Sequence, residues 1–196
     1  MAKGFFIQYK FILPENIKHS SYTYQKLFRA IYGYTQNVTK SNGKRYTYHR
    51  KGVLSDYPHS RPGKNCVIIP KNAFNELTTF FKTGKNPAHF WKIRGDWKAV
   101  YYMDEKTLNP ADAAKALEAT LGRAYVETAT GEQANLDGEL ALLTDLKKSD
   151  KVPDPAYVKK VVSEAEKIVQ HEWFKDCLAG SEKLSSFYKK YKAVKA

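Results

Sequence analysis

The stretch Tyr34-Thr35-Gln36-Asn37-Val38-Thr39-Lys40-Ser41-Asn42-Gly43-Lys44-Arg45-Tyr46-Thr47-Tyr48-His49 alternates residue types with period two on both sides of Ser41 to Lys44. Period two sends successive side chains to opposite faces of a strand. Asn-Gly is the strongest short hairpin signal, because a type I′ turn needs positive φ at both central residues. An antiparallel pair is expected, with Tyr46 and Tyr48 on one face and Arg45 and His49 on the other.

Upstream, residues 4–13 form a β-rich run that Pro14 ends, followed by a helix capped by Ser20 or Ser21. Its stripe of Tyr24, Leu27, Phe28 and Ile31 reaches to about Tyr32, and Gly33 supplies a stop. Downstream, residues 55–65 read as a loop because they hold Pro58, Pro62 and Gly63. Cys66 to Ile69 is a short buried strand. A second helix runs from about Lys71 to Lys82, with Phe74, Leu77, Phe80 and Phe81 at helical spacing. A second β pair is expected over Phe90–Ile93 and Trp97–Tyr102, around Arg94-Gly95-Asp96. Strand, helix, β pair, helix, β pair is the order of an α+β fold: a mostly antiparallel sheet with helices on one face, ferredoxin-like or winged-helix-like.

Composition shifts at Asn109-Pro110. Residues 1–109 read as a basic, aromatic-rich α+β domain and 110–196 as a helical extension for packing or oligomerisation. That extension is expected as an alanine-rich helix over 111–126, a short helix over 136–147, a long helix over 155–178 and a terminal helix over 181–194. An apolar stripe through Tyr157, Val161 and Ile168, widened by Val158, Val162, Ala165 and Val169, offers a face for packing, for a second copy or for a protein partner.

The charge division is sharper still. Through residue 110 there are 19 Lys and Arg against 6 Asp and Glu, a net of +13, whereas the remainder balances at 14 against 14. The same 110 residues hold 20 of the 27 aromatics. A positive field interleaved with flat rings suits a polyanion with stackable bases. The expected function is nucleic-acid binding, with double-stranded DNA slightly ahead of RNA. The expected location is cytoplasmic or nucleoid-associated, since no apolar run is long enough to span a membrane.

Three segments are candidates for contact. The first is the hairpin with its return strand: Lys40, Lys44, Arg45, Tyr46, Tyr48, His49, Arg50 and Lys51, five Lys and Arg within twelve residues and no acid. The second is the loop holding Arg61 and Lys64, and the third is Lys92, Arg94 and Lys98. An alternative is a small metal-independent endonuclease in which His49 and His59 exchange protons while Arg61 and Lys64 stabilise the phosphorane charge. A third reading is a structural or assembly protein whose basic face meets an acidic partner. The terminal Lys183, Lys189, Lys190, Lys192 and Lys195, interleaved with Tyr188 and Tyr191, form a further phosphate-tracking candidate. No cofactor or metal is expected: Cys66 and Cys177 lie 111 residues apart, the basic half has few carboxylates, and the glycines are scattered singly.

Overall fold

The computed structural model describes residues 2–18, 20–85, 93, 95–149 and 153–196. The fold is α+β with antiparallel sheets and divides into two compact units, Lys3–Lys106 and Met1–Ala2 with Thr107–Ala196. The division after Lys106 falls close to the compositional shift.

The Lys3–Lys106 unit begins with β1 (Lys3–Ile12) and α1 (Tyr22–Tyr32), whose Ser21 hydroxyl accepts from the Tyr24 amide as an N-cap. A two-stranded ribbon follows, β2 (Tyr34–Thr39) with β3 (Arg45–Arg50). Then come β4 (Ser60–Gly63), β5 (Cys66–Ile69), a single 3-10 turn over Lys71–Ala73, α2 (Phe74–Thr83) and β6 (Lys98–Thr107), the last residue of which falls in the other unit. The main sheet runs β4-β5-β1-β6, with Phe6 opposite Ile68 and Gln8 opposite Cys66; the β2–β3 ribbon is a separate sheet.

Alternation along β1 decides which face carries the helices. Ile7, Tyr9 and Phe11 are buried with Leu27 and Ile31 of α1 and with Leu77, Phe80 and Phe81 of α2, while Gln8, Lys10 and Ile12 are exposed. Phe11 is the hub, in edge-on contact with Tyr24, Phe28, Phe81 and Trp97 at centroid separations of 5.6 to 6.4 Å. Replacing a buried ring of this kind by alanine costs about 3–5 kcal/mol.

Three expectations for this unit change. The span read as a loop contains β4, tolerated with its Pro62 because β4 is an edge strand. Residues 98–102 do lie in a strand, but it continues to Thr107 and pairs with β1, a long-range partner that local periodicity does not reveal. The first strand of that expected pair, over 90–92, lies outside the described residues. The hairpin turn is also not type I′. Gly43 (φ 75°) has positive φ and Asn42 does not, the Gly43 amide donates to the Lys40 carbonyl, and the Asn42 carboxamide accepts from the Lys44 amide at 3.0 Å. Ser41-Asn42-Gly43 is a three-residue loop in which glycine alone takes the left-handed position.

The other unit contains α3 (Pro110–Gly122), a hairpin of β7 (Tyr125–Glu127) and β8 (Gln133–Asn135), α4 (Leu136–Lys148), α5 (Pro155–Val169), a short α6 (Phe174–Cys177), a 3-10 turn and α7 (Glu182–Lys195). The expected 155–178 helix breaks after Val169 so that Trp173 and Phe174, each 1% exposed, can enter the core. The centre of its apolar stripe, Val161, Ala165 and Ile168, is buried within this unit. The small β7–β8 hairpin has too few apolar residues to be legible in the sequence. Among the described residues, no helix is long and apolar enough to cross a membrane.

Candidate nucleic-acid interface

The ribbon is an arm. None of the residues of β2 or β3 is fully buried, so neither face of the pair serves the core. Its root is fixed by backbone contact. A Cβ on Gly33 (φ 73°) would lie 2.6 Å from the Arg50 carbonyl oxygen, and one on Gly52 would lie 2.7 Å from that of Ile31. Past the root, the Val53 and Leu54 amides donate to the Ala30 and Ile31 carbonyls, satisfying acceptors that the end of α1 leaves open. Ser55 Oγ accepts from the Gly52 amide at 2.8 Å. The arm therefore leaves and re-enters the domain through two glycines packed on each other.

The strand register assigns each arm residue to a face. Gln36 opposes Tyr48, Val38 opposes Tyr46 and Tyr34 opposes Arg50, so these six share one side. Thr35, Asn37, Thr39, Arg45, Thr47 and His49 take the other. On the first side two cations bracket two rings. Lys40 Nζ lies 4.3 Å from the Tyr46 centroid, Tyr46 stacks beside Tyr48 at 6.5 Å, and the Arg50 guanidinium lies 5.5 Å from Tyr48. Arg50 also donates to Gln36 Oε1 at 3.3 Å and faces Tyr34, over which Arg29 of α1 sits at 5.0 Å. Arg29 and Lys26 then share Tyr22, at 5.8 and 4.6 Å.

The result is a ladder from the arm tip to the first turn of α1, in which the step from Arg50 to Tyr34 is made by strand register. Sequence reading misses Tyr22, Lys26, Arg29 and Tyr34. The signal for three of them is present: Tyr22, Lys26 and Arg29 fall at i, i+4 and i+7, on the side of α1 opposite its apolar stripe. From residue 16 to residue 55 the chain contains no Asp or Glu. A cation resting on a neutral ring keeps its full charge, whereas one bridged to a carboxylate loses it to a distant polyanion.

The remaining candidates separate. Lys51 is bridged to Asp56 at 2.7 Å, so its charge is largely cancelled. Arg61, on β4, lies 4.4 Å over the Tyr32 ring, beside the arm root. Tyr32 in turn meets the buried Tyr9 hydroxyl to hydroxyl at 2.9 Å, and burial pushes both phenols above their ordinary pKa. Lys64 occupies the β4–β5 turn and Lys98 the start of β6. Lys92 and Arg94 lie outside the described residues.

Of the two imidazoles, His59 is only 7% exposed, with Nδ1 at 2.9 Å from the Tyr57 carbonyl and its ring against Tyr32. A proton-transfer group needs hydrogen-bond reach to a phosphate, and burial behind Tyr32 gives His59 poor access to one. His49 stands on the arm with Nδ1 at 3.3 Å from Thr35 Oγ1, and partial burial holds its pKa below the ordinary value. Among the described residues, no group of three or more His, Cys, Asp or Glu is placed to hold a metal ion, and both cysteines are free thiols.

The C-terminal lysines are mostly engaged. Lys190 bridges Asp137 at 2.7 Å and Lys195 bridges Glu166 at 2.6 Å, while Lys192 rests on Tyr188. No protein-family model, curated protein or solved structure matches the chain.

Proposed function

We propose that the protein binds nucleic acid through the β2–β3 arm, with Lys40, Tyr46, Tyr48, Arg50, Tyr34, Arg29, Tyr22 and Lys26 as the contact strip. The observation that carries this reading is the ladder itself: an exposed ribbon in which cations lie on rings and no acid intervenes. Phosphates neutralise the cations and bases engage the phenol faces or edges, while Arg45 and Lys44 extend the positive strip around the tip. A two-stranded ribbon also matches the width of a duplex major groove, about 12 Å, so duplex DNA remains a substrate of the arm.

The order β4-β5-β1-β6 favours a ferredoxin-like over a winged-helix layout. Each βαβ crossover in it is split by an intervening antiparallel strand. The arm is an insertion between α1 and β4 in that layout, a position where a long connection costs the fold little.

Titration of fluorescent DNA and RNA oligonucleotides at increasing salt tests the proposal. Log K should fall linearly against log salt, by about 0.9 for each duplex phosphate neutralised. Undetectable binding to both polymers at low salt contradicts it.

A further inference from the structure

Beyond the arm, the Lys3–Lys106 unit carries a second feature. A groove of about 730 Å³ opens along β1 and β6, bounded by Tyr24 of α1 and by the β4–β5 turn. That volume is within the range of pockets that hold small organic ligands, about 300–1,000 Å³. Its rim is cationic: Lys10 and Lys64 line it, and among the described residues no acid does. Its floor carries exposed apolar surface, since Tyr102 is 62% and Val100 50% exposed. Gln8 and Asn65 add carboxamides, and among the described residues neither is hydrogen-bonded through its side chain. Asn65 is set by its own backbone, at φ 56° with its carbonyl accepting from the Tyr9 amide at 2.9 Å.

We infer that this groove holds one unpaired nucleotide of the strand that the arm engages, an inference that rests on the nucleic-acid reading above. The components match the parts of a nucleotide. A ring face stacks on Tyr102, carboxamides that both donate and accept meet the edge of a base, and two lysines neutralise the flanking phosphates. A base within a duplex cannot offer its face, because both faces are covered by its neighbours. The groove therefore selects single-stranded segments, where the arm alone accepts either form. Both sites reach the first turn of α1, Tyr22 of the ladder on one side of the helix and Tyr24 of the groove on the other, about 10 Å across.

The test compares a labelled single strand and a duplex of equal length, in both ribose and deoxyribose forms, against wild type and the variants Tyr102→Ala, Tyr102→Phe and Lys40→Ala/Lys44→Ala/Arg50→Ala. For the sugar bound more tightly, Tyr102→Ala should weaken single-strand affinity about fivefold or more, the scale of one lost stack. Tyr102→Phe should retain it, and both variants should bind duplex as wild type does. The arm variant should weaken both forms. Unchanged single-strand affinity in Tyr102→Ala, or an equal loss on duplex, overturns the groove assignment while leaving the arm intact. Failure of the wild type to bind any of these polymers instead overturns the functional reading beneath it.

Discussion

The arm and helix α7 have nearly the same ingredients, lysines and arginines interleaved with tyrosines, yet their charges meet different fates. In α7, Lys190 and Lys195 find carboxylates at 2.7 and 2.6 Å, and Glu166 is held below its ordinary pKa by the hydrogen bonds from Lys195 and Tyr191. In the arm, Lys40 and Arg50 find rings. The cause lies in composition at the scale of the unit. Six acids cannot neutralise 19 cations in the first half, whereas the second half has one acid per cation. A basic-aromatic pattern therefore leaves its charge available to a polyanion only where acids are scarce around it.

The largest effect expected on folding distinguishes how the two regions are anchored. Gly52→Ala would drive a Cβ into the Ile31 carbonyl and the Gly33 amide, costing about 2–4 kcal/mol in denaturant unfolding, with binding lost alongside. Gly138→Ala in α4 meets nothing within 4 Å and should be neutral or stabilise by up to about 1 kcal/mol. Equal effects at the two glycines would mean that the arm root is not a close-packed joint.

A second prediction concerns pH, and it acts through burial in the C-terminal unit rather than through surface charge. His171 is 8% exposed, packs against Trp173, and burial lowers its pKa to about 4; its Nε2 has no hydrogen-bond partner. Above the ordinary His pKa of about 6.5, folded and unfolded chains are both neutral there, so stability does not depend on this group. Between about pH 6.5 and 4 the unfolded chain takes a proton that the folded one refuses. Stability should fall by up to about 1.4 kcal/mol per pH unit, about 3 kcal/mol in all. Denaturant midpoints for His171→Leu should lose that slope across the window. The arm should show no counterpart, since His49 titrates below its ordinary value and oligonucleotide affinity should stay flat from about pH 8 to 6.5.

The smallest effect sharpens the rule about acids. Asp56→Asn removes the exposed partner of Lys51, which should change stability by under about 1 kcal/mol. Affinity should rise by a few-fold as Lys51 regains its charge. An unchanged affinity would mean that Lys51, once uncovered, does not reach the polyanion.

Local signals explain what was readable in advance. The Ser21 cap, the Gly33 stop, the helical spacing of Phe74, Leu77, Phe80 and Phe81, and the Asn42-Gly43 turn are short-range features, and they locate α1, α2 and the arm. The β1–β6 pairing was hidden because it joins strands about ninety residues apart in the chain. Edge strand β4 was masked by Pro62 and Gly63, which normally mark loops. At the candidate site, Tyr46 and Tyr48 are legible from alternation, and Arg50 from the run of cations without an acid. Tyr22, Lys26 and Arg29 are not legible there, because their relation to the arm depends on how α1 packs beside its root. In the sequence Lys51 reads as a free cation because its partner Asp56 lies beyond the hairpin segment.

The proposed function requires that the cations of the arm, and not the carboxylate-bridged lysines of α7, meet the polyanion. Measuring log K against log salt on one duplex, for wild type, Lys40→Ala/Lys44→Ala/Arg50→Ala and Lys190→Ala/Lys195→Ala, tests it directly. The arm variant should have a slope shallower by nearly one for each residue removed, and the α7 variant should retain the wild-type slope. A shallower slope in the α7 variant with an unchanged slope in the arm variant would contradict the account.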